Sequence, residues 1–187
     1  EKETGIIYAS SPTQKVGGGI LPSLPKVIHS KPMLSAAKTK STEDIDKFAG
    51  KGPGDCMVSW KLDGLTLVIR YANGKLERII TRGDGNIGED VTHNCASILG
   101  IPQYIPCTDD VEVRGECVVS WAGFDEVNKR VDEPYAHPRG LAAGSVRLLN
   151  QRESAPRELQ FVAFELVQPF LSTVENSYAF LAEQGFS

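Results

Sequence analysis

The sequence predicts an α+β fold in which antiparallel strands form the sheets and helices flank them. Runs rich in β-branched and apolar residues follow one another directly along the chain, as in hairpins. One pair is joined by Ala72-Asn73-Gly74, and Asn-Gly is the strongest short-range hairpin signal. Helix-capping residues occur between these runs without the strict alternation of a Rossmann fold, and the phosphate-binding pattern GxxxxGK[ST] is absent from the sequence.

The first quarter of the chain predicts a loop and one short helix. The stretch from Ser10 to Pro25 is rich in Gly, Pro and Ser, which predicts an extended loop. Ser41, followed by Glu and Asp, predicts a helix start of the capping-box type, with Ile45 and Phe48 one turn apart. The glycines and the proline of residues 50–53 predict the end of this helix.

The remaining elements follow in order along the chain. Strands are predicted at Cys56 to Trp60, Leu65 to Tyr71, Lys75 to Thr81, Val111 to Val119 and Leu159 to Val167. Helices are predicted at Val91 to Leu99, after Ser120, at Leu141 to Leu149, and after the capping box Ser172–Glu175 as far as Gly185.

Composition limits the classes of function. A length of 187 residues predicts one domain, and the net charge of −4 is not the basic excess of a free-standing nucleic-acid binder. No apolar run approaches the ~20 residues that a membrane helix needs. Four scattered cysteines without a visible secretory signal indicate a reduced, cytoplasmic protein. The three histidines are far apart in sequence, so no metal ligands are predicted.

The tetrapeptide Lys61-Leu62-Asp63-Gly64 lies between two predicted strands, and its Asp-Gly pair predicts a turn. A lysine at this junction would be partly desolvated, which disfavours the charged ammonium and makes the amine available as a nucleophile. The alternative is an ordinary lysine whose stem lies on the sheet while its head stays in water.

Three further motifs need a joint explanation with Lys61: "TRGDGNIGED" from Thr81, "EVRGE" ending at Glu116, and "HPRGLAAGSVR" from His137. Taken singly, they fit a hairpin connection, a solvent-facing acid and helix-surface arginines. Together they favour phosphoryl or nucleotidyl chemistry. Arg82 offers a planar fork for phosphate or ribose oxygens, glycines permit close backbone approach, and Glu116 can accept from ribose hydroxyls or the lysine.

These motifs resemble those of the adenylation (nucleotidyltransferase) domain of NAD+-dependent DNA ligases. "KLDG" resembles the K-x-D-G nucleotidyl-lysine motif, while "TRGDGNIGEDVTHN" and "HPRGLAAGSVRLLN" resemble runs specific to the NAD+ branch. Upstream, "SSPTQKVGG" and "KPMLSAAK" are similar to stretches near the nucleotide pocket. The resemblance implies a nucleotidyltransferase (ATP-grasp-like) fold over residues 1–187, with residues 1–54 as its N-terminal loop and helix segment.

The resemblance also implies roles for individual residues. Lys61 would attack the α-phosphate of NAD+ and hold AMP, and Asp63 would orient the lysine and the ribose. The implied nucleotide-binding residues are Ser35, Ala36, Ser59, Arg82, Glu116, Arg139 and Arg147, of which the last two would face phosphates of AMP or of the nick. NAD+ is the implied AMP donor, and Mg²⁺ is implied as the cation that neutralises developing charge.

Some features depart from the family pattern. Ser59 stands where the family usually has a glutamate that contacts adenine, and Ala36 stands in place of leucine. The family's flanking domains are not recognised in the sequence. We therefore expect a monomeric fragment that depends on further C-terminal domains for nicked double-stranded DNA and does not complete ligation alone. The alternatives are an ATP- or GTP-using nucleotidyltransferase, and a non-catalytic nucleotide-binding or scaffold module of a split or degenerate ligase.

Overall fold

The computed structural model describes residues 24–51, 56–148 and 151–187, without the side chains of residues 151, 152 and 155. All of the predicted loop from Ser10 to Pro25 except its last two residues lies outside this part. The strands are β1 (Lys26–Ile28), β2 (Leu65–Ala72), β3 (Lys75–Thr81), β4 (Ile87–Glu89), β5 (Ile98–Leu99), β6 (Val111–Val118) and β7 (Leu159–Gln168). The α-helices are α1 (Thr42–Ala49), α2 (Trp121–Asn128), α3 (Pro138–Val146), α4 (Gln151–Ser154) and α5 (Val174–Glu183).

The main sheet has five strands in the order β3-β2-β6-β7-β5, and all neighbours are antiparallel except β5 and β7. A second, two-stranded sheet pairs β1 with β4. The predicted mixture of helices with mainly antiparallel strands is therefore confirmed. None of the helices in the described ranges is long and apolar enough to cross a membrane.

The two faces of the main sheet differ in chemistry because successive side chains of a strand point to opposite faces. One face carries the core, in which strand residues such as Ile69, Val113 and Phe161 pack with helix residues such as Phe124 and Leu141. The opposite face carries three cross-strand pairs: Thr66–Glu116, Val68–Arg114 and Arg70–Glu112. The second face is thus largely polar, and it is the face on which the candidate site is built.

Local signals in the sequence placed several elements correctly. The hairpin between β2 and β3 turns at Asn73 and Gly74, whose φ angles of 51° and 72° are the positive values that such a tight turn requires. Ser120 Oγ accepts from the Gly123 N–H at 3.0 Å and caps α2. Thr173 caps α5 in the same way.

Two helices differ from their predicted form. Helix α1 lies where Ser41 predicted it, but its apolar residues Ile45 and Phe48 are exposed and none of its residues is buried. Helix α3 begins at Pro138, three residues before the predicted start, because His137 caps it through Nδ1 and proline suits the first helical position.

The helix predicted from Val91 to Leu99 is wrong. A 3₁₀ turn spans Thr92–Ser97, and the following two residues form β5 beside β7. The side chain of Asn94 donates to the carbonyl oxygens of Val146 and Leu148 at 2.8 and 2.7 Å, which closes the end of α3. These hydrogen bonds to residues distant in sequence outweigh the weak helix preference of residues 91–99.

The strand predicted from Cys56 to Trp60 is also wrong, since these residues form no regular element. Val58 and Trp60 are 92% and 94% exposed. β-branched and aromatic residues favour a strand only where a neighbouring strand and a packed face receive them. Within the described part of the chain, no strand pairs with this run.

Candidate active site

Three of the predicted motifs meet at one end of the main sheet. The turn at Asp63-Gly64 leads into β2, Arg82 follows β3, and Glu116 lies two residues before the end of β6. Antiparallel pairing brings the start of β2 beside the ends of both neighbours, and the Arg82 N–H donates to the Thr66 carbonyl oxygen at 3.1 Å. The topology therefore brings together residues such as Gly64 and Glu116, which are 52 positions apart in the sequence.

Glu116 is the centre of this cluster. One carboxylate oxygen accepts from the Gly64 N–H at 2.9 Å, and the other accepts from the Thr66 hydroxyl at 2.8 Å. A side chain at position 64 has no room, since a Cβ there would lie 2.1 Å from the Cys117 carbonyl oxygen. The carboxylate thus fixes the turn that follows Lys61.

The lysine segment, residues 56–63, is held far more loosely. Lys61 is exposed, and its Nζ donates to the neighbouring Leu62 carbonyl oxygen at 3.3 Å. The predicted partial desolvation of this lysine is therefore wrong for this structure. The physical reason is the missing strand: without a sheet around residues 56–60, nothing among the described residues covers the amine.

One ion pair ties the lysine segment to α3. Arg139 Nη1 lies 2.8 Å from Asp63 Oδ1, with the two side chains 64% and 48% exposed. Arg139 lies in the first turn of α3, so the cap at His137 also sets where its side chain begins. The predicted pairing of the HPRG motif with the lysine motif in one site is thus present, although an exposed ion pair of this kind adds little stability.

The glycine loop, residues 82–88, is held in one conformation by its glycines and by internal hydrogen bonds. Gly83 and Gly85 have φ angles of 57° and 96°, in the region that favours glycine. Asp84 Oδ1 accepts from the N–H groups of Ile87 and Asn86, both at 2.8 Å. These backbone hydrogen bonds hold the pKa of Asp84 below its usual range.

Arg82 leaves this loop towards the segment after β1. Its Nη2 donates to Ser35 Oγ at 2.9 Å and lies 3.4 Å from the Met33 carbonyl oxygen. Arg82 and Ser35, each predicted separately as a nucleotide-binding residue, are therefore in direct contact. Ala36 and Ser59 are exposed, and neither touches the other predicted residues within the described contacts.

Arg147 lies apart from this cluster. Its Nε donates to Glu89 Oε2 at 2.7 Å, its Nη1 donates to the Ala143 carbonyl oxygen at 3.1 Å, and Glu89 is almost fully buried. These contacts join the end of α3 to Glu89, the last residue of β4 and the residue that follows the glycine loop. A phosphate-binding role for Arg147 stays a prediction.

Sequence reasoning missed two residues that shape the site. Thr66 anchors one oxygen of Glu116, and His29 contacts the carbonyl oxygen of Arg82. Thr66 had a detectable signal, because it alternates with Val68 and Arg70 along one face of β2. His29 had none, because its partner is a backbone atom 53 residues away.

Lys61, Arg82, Arg139 and the anchored Glu116 thus belong to segments that meet at one end of the main sheet of a mixed α and β fold. Cations and a carboxylate in such a combination are typical of sites for phosphate-bearing ligands. A family model for the NAD-dependent DNA ligase adenylation domain matches residues 21–187. The chain belongs to this family.

Curated relatives give the same family assignment. Over the whole of this chain, it is 40% identical to the DNA ligase of Lachnoclostridium phytofermentans and covers 29% of that protein. It is 38% identical to the DNA ligases of Ruminiclostridium cellulolyticum and Halothermothrix orenii, again over all of this chain and over 29% and 30% of theirs. The chain therefore spans about three tenths of the length of these relatives.

Proposed function

We propose that this chain carries out the adenylation step of an NAD+-dependent DNA ligase. The Lys61 amine attacks the α-phosphorus of NAD+. A nitrogen–phosphorus bond forms, the bond to the nicotinamide mononucleotide oxygen breaks, and the lysine gives up a proton. The products are nicotinamide mononucleotide and AMP linked to Lys61 as a phosphoramidate.

The observation that carries this proposal is the convergence of separate motifs on the turn after Lys61. Glu116 binds the backbone of Gly64, and Arg139 pairs with Asp63. A nucleophile needs its surroundings held in place, and the second contact also brings a cation beside the position where phosphate charge would lie.

The other residues have roles that follow from their chemistry. The Arg82 guanidinium, steadied by Ser35 Oγ, offers bidentate hydrogen bonds to phosphate or ribose oxygens. Ser59, Ala36 and Arg147 complete the proposed nucleotide-binding set.

Mg²⁺ would neutralise charge on the phosphates during transfer. Among the described residues there is no group of three or more His, Cys, Asp or Glu side chains suited to hold a metal ion. Both oxygens of Glu116 are also engaged within the protein. Any Mg²⁺ would therefore be held mainly through the nucleotide phosphates, as this ion often is.

The finer fold assignment and the setting of the reaction belong to the same proposal. We assign the chain to the ATP-grasp-like nucleotidyltransferase fold, because the lysine motif leads directly into β2 and the polar face of the sheet carries the anchored Glu116. Nicked duplex DNA would be the substrate of the whole ligase, in the cytoplasm. With a net charge of −4, this chain alone is expected to bind DNA weakly at physiological salt.

The test is the intact mass of the chain after incubation with NAD+ and Mg²⁺. We expect the mass of one AMP to be added to the wild-type chain and to be absent from Lys61→Ala. Lys75→Ala is a matched control, because Lys75 is also exposed but lies at the far end of the hairpin. An adduct that maps to Lys51 or Lys75 would rule out Lys61 as the nucleophile.

A parallel incubation with ATP separates the alternatives. An adduct formed with ATP but not with NAD+ would place the chain with the ATP-using nucleotidyltransferases. Nucleotide binding by calorimetry without any adduct would favour a non-catalytic binding module.

A further inference from the structure

His29 joins the segment after β1 to the glycine loop by two hydrogen bonds. Its ring Nε2 lies 3.1 Å from the carbonyl oxygen of Arg82, and its backbone N–H donates to the Asn86 carbonyl oxygen at 2.9 Å. The residue is only 7% exposed. One histidine therefore contacts the loop at the two residues that bracket its turn.

The chemistry of the ring fixes its orientation. A carbonyl oxygen can only accept, so Nε2 carries the proton and donates. Nδ1 is buried and has no hydrogen-bond partner within the described part of the protein. The side chain thus makes a single directed polar contact, and that contact is with the backbone of Arg82.

The same carbonyl oxygen also accepts from the Gly85 N–H at 3.0 Å inside the loop. Further along the segment, the Met33 N–H donates to the Gly85 carbonyl oxygen at 2.8 Å. Met33 and Ser35 also receive the Arg82 guanidinium. His29 is therefore the side-chain member of a clamp that holds both the backbone and the head group of Arg82.

We propose that His29 is a positioning residue that sets the glycine loop, and with it the Arg82 guanidinium, for nucleotide binding. This inference rests on the proposed function, since it assigns Arg82 to the nucleotide. His29 acts through Arg82 and does not itself contact the nucleotide. Its loss weakens NAD+ binding through the loop and leaves the attack by Lys61 unchanged once NAD+ is saturating.

The surroundings of His29 add a dependence on pH. Burial lowers the pKa of His29 below 6.5, and the cations Arg70 and Arg114 lower it further, while Glu112 and the Arg82 carbonyl oppose them. Protonation would place a buried N–H without a partner beside these charges and near Asp84. The clamp is therefore complete at pH 7 and weakens as the pH falls through the lowered pKa of His29.

Two substitutions distinguish the effect of the Nε2 hydrogen-bond donor from the effect of losing the imidazole ring. In His29→Gln the amide nitrogen can reach the position of Nε2, whereas in His29→Asn it reaches only that of Nδ1. For His29→Asn we expect NAD+ binding about two- to tenfold weaker, the range for loss of one neutral hydrogen bond. Its adenylation rate at saturating NAD+ should equal that of the wild type, and His29→Gln should restore the affinity.

Amide hydrogen exchange of residues 82–88, measured without nucleotide, reports directly how firmly the clamp holds the glycine loop. We expect faster exchange in His29→Asn and near wild-type exchange in His29→Gln. Unchanged exchange and affinity in His29→Asn, or equal damage in both variants, would overturn the role of His29. A wild-type chain that forms no AMP adduct would instead overturn the proposed function, and this role with it.

If His29→Asn does not fold, the NAD+ affinities of the wild type and His29→Gln are compared from pH 7.5 down to the lowest pH at which both proteins stay folded. We expect the wild type to lose NAD+ affinity on acidification by more than His29→Gln does, because glutamine does not titrate. Identical pH profiles for the two proteins would overturn the proposal.

Discussion

The glycine loop and the lysine segment lie at the same end of the sheet, yet they are held in opposite ways. The glycine loop is fixed by hydrogen bonds within itself and by the clamp from His29 and Met33. The lysine segment is exposed, has no sheet partner in the described structure, and connects to the site mainly through Asp63 and the turn at Gly64.

This difference separates two tasks of the proposed reaction. Arg82, which would bind the nucleotide, is held in place before the nucleotide arrives, so little conformational freedom is lost on binding. The proposed nucleophile, Lys61, is followed by the anchored turn at Gly64, while residues 56–60 before it are exposed. We expect the bound nucleotide to add the contacts that the lysine segment lacks.

Thiol labelling gives the largest expected contrast between an exposed and a packed part of the site. Cys56 opens the lysine segment and is exposed, while Cys117 lies next to Glu116 and is fully buried. Burial raises the pKa of Cys117 from 9.0 to about 12, which alone reduces its reactive thiolate on the order of a thousandfold. Mass spectrometry of maleimide-treated native protein should show Cys56 labelled first and Cys117 last. Equal labelling rates would mean that the lysine segment is packed against protein.

The glycine loop should respond strongly to a single added methyl group. In Gly83→Ala the new Cβ would lie 1.8 Å from the Ile87 carbonyl oxygen, at a φ of +57° that alanine avoids. We expect a loss of more than about 2 kcal/mol in the free energy of unfolding, measured by urea denaturation. Weaker NAD+ binding should accompany the loss.

Gly140→Ala is the matched control for this substitution. Gly140 is an exposed residue of α3, and a Cβ there meets nothing within 4 Å. Alanine should raise the free energy of unfolding by up to about 1 kcal/mol, because glycine is a poor helix former. Equal effects at both positions would mean that the glycine loop tolerates side chains and is not closely packed.

The sequence predicted elements with local signals better than it predicted the lysine segment, and the reason is physical. The hairpin at Asn73 and the cap at Ser120 depend on residues within a few positions of each other, so their signals are local. The missing strand at residues 56–60 and the role of Asn94 depend on partners distant in sequence. Composition alone could not tell whether a neighbouring strand would be present or which carbonyl groups would need a donor.

The same distinction applies to the site residues. The resemblance of the motifs predicted that Lys61, Arg82 and Glu116 belong to one site. The three motifs do lie at the same end of the main sheet. The resemblance did not indicate that Arg147 would pair with Glu89. An ion pair depends on where the two side chains lie in the folded protein, which the spacing of residues along the sequence does not give. Nor did the resemblance indicate how exposed Lys61 would be.

Position 59 gives a prediction of intermediate size within the lysine segment. A serine hydroxyl binds an adenine amino group more weakly than a carboxylate does, by about 1 kcal/mol on typical values for neutral and charged hydrogen bonds. Ser59→Glu should therefore tighten NAD+ or AMP binding about fivefold in calorimetry. Ser59→Gln, of similar size and without the charge, should gain less. No gain in either variant would mean that another group contacts the adenine.

The smallest effect is expected at the ion pair that joins the lysine segment to α3. Asp63 and Arg139 are both about half exposed or more, and solvent screens such pairs to less than about 1 kcal/mol. A double-mutant cycle of Asp63→Asn and Arg139→Gln, followed by urea denaturation, should give a coupling energy within that limit. The same two variants should slow formation of the AMP adduct while changing the free energy of unfolding little, because Asp63 lies two residues after Lys61 and Arg139 is paired with Asp63. A coupling energy above about 2 kcal/mol would contradict the comparison, since it would mean that the lysine segment is anchored as firmly as the glycine loop.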